Sequence, residues 1–344
     1  MMKKILVTGG CGFIGSWCCE YYAKLGVKVI SYDNMTKHEL MRTGYNTDSA
    51  RGYNWNYLKA LGVELIKEDV RNREALFEYA KECDFIIHTA AQPAMTISEE
   101  DPELDFTTNV MGTINVLEAA RKFKIPVVSC ATIHIYGNKL NEELTQADTR
   151  YLRKEELIDE NYPVLGGTLT PLHASKAAAD FYVKVYADTY KVKAASFRLT
   201  GLYGPRQLGG EDHGWVANFA IRAIKNMPLR VYGTGKQVRD ILYASDLVAA
   251  FNAFYEKQIP GIYNIGGGKL TMISLLECIS MIADILGKKP EIEFCPGRFG
   301  DLLYFACNSQ KAFNALGWLP KVQPRQGVEN LINWIKTNPD LFGD

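Results

Sequence analysis

Neither sign of charge is in excess in this chain: 39 Lys and Arg stand against 39 Asp and Glu in 344 residues. That balance excludes the net field by which a basic protein gathers nucleic acid or an anionic membrane surface, although a local basic pocket remains open to it. None of the 8 cysteines forms a Cys-x-x-Cys pair. Scattered thiols of this kind suit a reducing compartment better than a disulfide framework, and no metal site is expected. No apolar run reaches the length of a membrane span. The opening Met1-Met2-Lys3-Lys4-Ile5-Leu6-Val7 imitates the start of an export signal, but Thr8-Gly9-Gly10 ends its apolar run too early. The expectation is a cytoplasmic protein with no nucleic-acid or membrane partner. Internal repeats, low-complexity tracts and linkers between independent domains are also missing.

What is present is alternation. Short β-branched runs at residues 5–8, 28–32, 63–67, 85–88, 127–130 and 193–198 read as strands. Helix-period segments at 14–25, 73–81, 104–122 and 175–190 lie between them. This order predicts an α/β fold with a doubly wound parallel (Rossmann) sheet. After about residue 199 the pattern breaks into loops, helices and isolated strands, which predicts a smaller C-terminal α/β lobe over the strand ends. Two polar stretches, 36–56 and 138–170, are long for simple connections and mark functional or mobile loops.

Gly9-Gly10-Cys11-Gly12-Phe13-Ile14-Gly15 follows the first strand and opens the first helix. Gly9 permits the tight turn, Gly12 lets a pyrophosphate approach the backbone, and Gly15 lets helix and strand pack closely. The helix N-terminus supplies open N–H groups and a partial positive charge to the phosphates. Asp33 ends the second strand, where a carboxylate bonds the adenosine ribose and opposes a 2′-phosphate, so NAD is expected rather than NADP. Asp69-Val70 follows the third strand and Thr89-Ala90-Ala91 the fourth, at successive carboxyl ends where open α/β sheets bind ligands. Residues 1–198, with parts of 235–265, are read as the NAD-binding domain. Residues 199–234 and 266–344 are read as the substrate-binding lobe.

With the glycine turn, Asp69-Val70, His88-Thr89-Ala90-Ala91, Asn109-Val110-Met111-Gly112-Thr113, Ile135-Tyr136-Gly137 and Arg239-Asp240, the chain resembles the extended short-chain dehydrogenase/reductases. These form the NAD-dependent epimerase/dehydratase family, and the resemblance covers nearly the whole length. Within the family it is most similar to the CDP-tyvelose (CDP-paratose) 2-epimerase subgroup, on Tyr203-Gly204-Pro205-Arg206-Gln207, Gly214-Trp215-Val216 and Gly235-Lys236-Gln237-Val238-Arg239-Asp240. The resemblance implies an isomerase that oxidises a sugar hydroxyl with bound NAD and reduces the ketone on its other face. It implies cofactor contacts from Gly9, Gly12, Phe13, Ile14, Gly15, Asp33, Asn34, Asp69, Val70, Thr89, Ala90, Ala91, Asn109, Lys176 and Leu199. It implies substrate contacts from Gln92, Thr132, Gln207, Trp215, Val216, Tyr232, Gln237, Arg239 and Arg298. The implied partner is a nucleotide-diphosphate sugar, cytidine first and uridine second, on a homodimer or homotetramer.

Three residues serve the chemistry in that family. A Ser or Thr binds the reacting hydroxyl, a Tyr takes its proton, and a Lys four positions later holds the nicotinamide ribose and lowers the Tyr pKa. Thr132 and Lys176 stand in the first and third places. The second place holds Leu172. Three explanations follow: His173 or His134 supplies the acid/base group, the protein binds without turnover, or a tyrosine from elsewhere, such as Tyr136 or Tyr203, enters the site. Ile133 and His134 after Thr132 leave no carboxylic acid for eliminating water, which counts against a dehydratase. A dehydrogenase with net NADH release remains a further alternative. Arg206, Arg239 and Arg298 sit in loops suited to bidentate phosphate contact.

Overall fold

The structure is a computed structural model that describes residues 2–36, 40, 43, 45, 50 and 52–343. Much of the polar stretch 36–56 singled out above therefore lies outside the described residues. Seven strands form the main sheet: β1 (Lys4–Thr8), β2 (Lys28–Tyr32), β3 (Glu64–Ile66), β4 (Phe85–His88), β5 (Val127–Thr132), β6 (Ala194–Leu199) and β7 (Gly261–Ile265). They are all parallel in the order β3-β2-β1-β4-β5-β6-β7, the order of strand addition switching sides between β1 and β4. Because β1, β4, β5 and β6 are buried along most of their length, their sequences run apolar instead of alternating. Register aligns Thr8 with Tyr32 and His88, and Thr132 with Leu199, so the carboxyl ends make one rim.

Helices cover both faces, including α1 (Phe13–Lys24), α2 (Gly112–Phe123) and α3 (Pro171–Tyr190). The last is tied to β6 by a buried ion pair, Asp180 with Arg198 at 2.8 Å. Beyond β6, strands Gly201–Tyr203, Val238–Tyr243, Met272–Ser274 and Tyr304–Phe305 form a second sheet. A parallel pair, Leu229–Tyr232 with Ile292–Cys295, adds to this side. Its own core gathers Val216, Phe219 and Ile221 with Ile279, Ile282, Leu331 and Ile332.

Three departures from the sequence reading bear on the site. First, β5 runs two residues past Cys130, which makes Thr132 the last residue of the strand. Second, the single helix expected over 104–122 is divided into Pro102–Phe106, a π-turn Thr107–Met111 and α2. The wider turn accompanies close packing on the sheet side, where a Cβ on Gly112 would lie 2.8 Å from Val70 Cγ2. Third, α3 starts at Pro171 and not at Ser175. Thr170 caps it, Pro171 occupies the first helical position, and His173 returns a ring nitrogen to the cap N–H. That capping box uses His where Glu or Gln is usual, so the start carries no ordinary sequence signature. Leu172 and Lys176 are consequently one helical turn apart.

Candidate active site

Gly12 caps α1 without a side-chain hydrogen bond, and the first turn holds no acid. Its N–H groups and positive dipole end are thus left open toward the sheet rim. Gly9 has φ +69°, and a Cβ there would lie 2.6 Å from Ala90 N. A Cβ on Gly15 would collide with the Gly9 carbonyl oxygen, so α1 rests directly on the turn. Among the described residues only Gly9 O, at 3.0 Å, would lie within 4 Å of a Cβ on Gly12, so the backbone there is open to close approach. Asp33 accepts the Cys11 N–H at 2.9 Å and the Met35 N–H at 2.7 Å, which fixes its carboxylate against the glycine turn. A glycine cradle, an uncapped helix start and an anchored carboxylate fit a dinucleotide.

Two connected spaces follow the rim. The smaller is lined by Gly9, Gly12, Asp33, Asn34, Val70, Thr89, Ala90, Ala91 and Gln92. The larger, about 790 Å³, shares Gly9, Gly12, Thr89 and Ala91 and runs past Phe13, Ile14, Gly15, Thr132, His134, Leu172, Lys176 and Leu199. It ends among Gln207, Trp215, Tyr232, Gln237, Arg239 and Arg298. Four of the expected site residues stand behind these walls. Val216 is a core residue of the second lobe. Asn109 is spent on Gln92, Asp105 and Ser175. Asp69 is clamped by Arg71 and Asn34, and although burial opposes it, the Arg71 hydrogen bonds hold its carboxyl at about 2. His173 is the fourth. Gln92 reaches the smaller space, but its side-chain amide is already bonded to Ala94 and Asp105.

The histidines divide. His173 Nδ1 accepts the Thr170 N–H at 3.0 Å, which puts the proton of a neutral ring on Nε2. Such a ring has no lone pair left for a sugar proton, and His173 is buried off the cleft. The structure corrects that candidate to a helix cap. His134 does line the cleft, and its buried Nδ1 has no partner among the described residues. Burial, with Arg239 and His173 nearby, pushes it down to about 3. A ring held there is neutral at pH 7 and a weak base. The two tyrosines from elsewhere are also occupied. Tyr136 donates to Asn264 at 2.8 Å and accepts from Arg198 at 2.9 Å, while Tyr203 donates to the Pro324 carbonyl at 3.4 Å. Both are buried in cores away from the cleft lining.

Thr132, Leu172 and Lys176 share one stretch of cleft wall. Among the described residues no hydrogen bond or ion pair holds the Lys176 ammonium. Burial lowers its pKa against the raising pull of Cys130 and Asp105. Of the three arginines, Arg206 is committed elsewhere: it pairs with Glu20 at 2.6 Å and lies over Trp17 and Tyr57. Arg239 is buried and meets Asp301 at 3.4 Å. Arg298 stacks over Tyr232 at 4.0 Å. The sequence reading missed Asp105, whose position four residues before Asn109 was its only signal, and the acidic pair Glu211-Asp212. Glu211 accepts from Tyr232 at 2.7 Å, and Asp212 accepts from Thr96 at 2.9 Å across the cleft.

A doubly wound sheet with a glycine cradle and a Thr/Lys wall defines a dinucleotide-dependent enzyme class. The chain belongs to the NAD dependent epimerase/dehydratase family, whose profile matches residues 5–266. NAD is the cofactor of this family. Similar proteins include the CDP-paratose 2-epimerase of Salmonella typhi, 32% identical over 97% of this chain and 99% of that one. A putative UDP-glucose 4-epimerase of Methanocaldococcus jannaschii is 31% identical over 97% and 99%. Among solved structures, the UDP-glucose 4-epimerase of Thermus thermophilus in complex with NAD superposes with a TM-score of 0.79 at 31% identity, covering 97% of this chain and 99% of that one. Bacillus cereus UDP-glucuronic acid 4-epimerase with UDP-glucuronic acid and NAD gives 0.81 at 26%, with the same coverage. No helix among the described residues is long and apolar enough to cross a membrane.

Proposed function

We propose that the protein is an NAD-dependent epimerase of a nucleotide-diphosphate sugar, with a cytidine nucleotide as first choice and uridine as second. The observation that carries this reading is one continuous cleft: the glycine cradle at one end, Arg239 and Arg298 at the other, and Thr132 with Lys176 between them. NAD, when bound, supplies reversible acceptance and return of hydride. The chain's own residues do the rest. Gly9, Gly12 and the start of α1 hold the pyrophosphate, and Asp33 accepts a ribose hydroxyl. Thr132 holds the reacting hydroxyl at the end of β5. Arg239 and Arg298 offer guanidinium forks to the substrate diphosphate, which carries the charge that a buried fork needs. Ile133 and His134 bring no carboxylic acid to this wall, which favours return of the hydride over loss of water.

The test is incubation of the purified protein with CDP- and UDP-sugars, followed by proton NMR of the sugar and absorbance of the dinucleotide. The expected result is a new epimer without accumulating NADH. Stoichiometric NADH, or a dehydrated sugar, would overturn the epimerase reading.

A further inference from the structure

We propose that Lys176 is itself the proton acceptor and donor of this site, exchanging with the sugar hydroxyl at Thr132 the proton that a tyrosine at position 172 would otherwise handle. This rests on the functional reading above and deepens it. The geometry begins with the helix. Leu172 and Lys176 are one turn apart on α3, and both face the cleft that Thr132 enters from β5. A leucine leaves apolar wall where a phenol would stand, and its side chain can relay no proton to the lysine. Tyr136, Tyr203 and His173 are each bonded and buried elsewhere, as described, so Lys176 and His134 are the groups beside Thr132 in sequence or on α3 that line the cleft and could act as a base.

The surroundings of Lys176 favour an amine with a free lone pair. Cys130, two residues before Thr132 on β5, is a thiol that burial pushes up to about 12. His88 on β4 is bonded between Thr8 at 2.7 Å and Thr113 at 3.0 Å, and burial, then Lys176, pushes it down to about 3. Both are therefore neutral at pH 7. Among the described residues, the acid that acts on the lysine is Asp105 on Pro102–Phe106. Its Oδ2 is buried without a hydrogen bond among the described residues, and burial raises its pKa against the lowering pull of Ser175, Lys176 and Gln92. No carboxylate lies within ion-pair distance of the ammonium among the described residues. A half-buried lysine short of counter-charge is driven toward its neutral form, the state in which an amine accepts protons.

The proton step balances simply. The hydroxyl O–H bond breaks as an Nζ–H bond forms, turning amine into ammonium. The oxygen keeps the electron pair, which becomes the second C–O bond as the carbon's hydrogen leaves with its own pair to oxidised NAD. On the return, the ammonium gives its proton back to the alkoxide oxygen of the inverted sugar.

The experiment uses NAD-loaded protein carrying ¹³C at the lysine ε-carbons, with the Lys176 signal assigned by its loss in Lys176→Arg. Lys176 is expected to titrate below the surface lysines, because burial disfavours its ammonium. Asp105→Asn should move it lower still, since removing a nearby anion disfavours the ammonium; a carboxyl with a packing role alone would leave it in place. Arg cannot lose a proton at these pH values, so Lys176→Arg, compared with the wild type at saturating NAD, should lower turnover ~10²–10⁴-fold. Titration with the surface lysines overturns the proposal. So does a Lys176→Arg enzyme that keeps its turnover while His134→Asn loses it. If no nucleotide sugar is turned over at all, the functional reading fails, and the titration still reports whether an amine base stands in the cleft.

Discussion

At the scale of single residues, Asp33 and Leu172 carry the sharpest consequences. Asp33 is held by two backbone N–H groups beside the glycine cradle, so its orientation is set before any ligand arrives. Losing a charged hydrogen bond costs on the order of 1.5–3 kcal/mol, and Asp33→Ala should weaken NAD at least about tenfold. Calorimetry with NAD and NADP checks this; equal affinities in the wild type would remove Asp33 from that role. Leu172→Tyr places a phenol one turn from Lys176 and is expected to raise turnover of whichever sugar nucleotide the wild type accepts. Unchanged turnover and an unchanged pH profile would mean that position 172 does not face the reacting carbon. Leu172 and the rest of the Thr132–Lys176 pattern were plain in the sequence. What was hidden is that His173, adjacent to them, is already spent.

At the scale of elements, the start of α3 decides that outcome. The Thr170–His173 capping box holds the first turn on which Leu172 rides. His173→Ala removes the reciprocal half of that box and should cost ~1 kcal/mol, read as a lower melting temperature. NAD affinity measured on the same variant should hold within a few-fold; a loss of binding with unchanged stability would return His173 to the site. Sequence reading started this helix four residues late because the box lacks Glu or Gln. It likewise drew one helix over 104–122, because a π-turn preserves apolar spacing on either side and shows itself only in the packing of Gly112 on Val70.

For the whole molecule, histidines held neutral by desolvation make stability depend on pH. His88 titrates near 3 in the folded chain and near 6.5 when unfolded. A depressed histidine binds its proton more readily unfolded, so its contribution is fully present above about pH 6.5 and is lost as pH falls toward 3. Each such group removes about 1.4 kcal/mol per pH unit within that window, and His134 adds to it. Melting temperatures at pH 7 and pH 5 should differ clearly in the wild type, and His88→Asn should flatten the slope. A wild-type stability that is level over this range would show that neither ring is held neutral.

Much of this protein is written locally in its chain. The strand–helix alternation, the glycine turn with Asp33, and the Thr132, Leu172 and Lys176 positions rest on spacing within one element or across one turn, and such patterns survive in a linear text. Tertiary structure alone decided the rest. That Arg206 belongs to Glu20 and two aromatic rings, that Tyr136 is bonded to Arg198 and Asn264, and that Asp105 stands near Lys176 all depend on contacts between distant segments. A side chain's availability is set by what packing brings against it, and packing joins residues that the sequence keeps far apart.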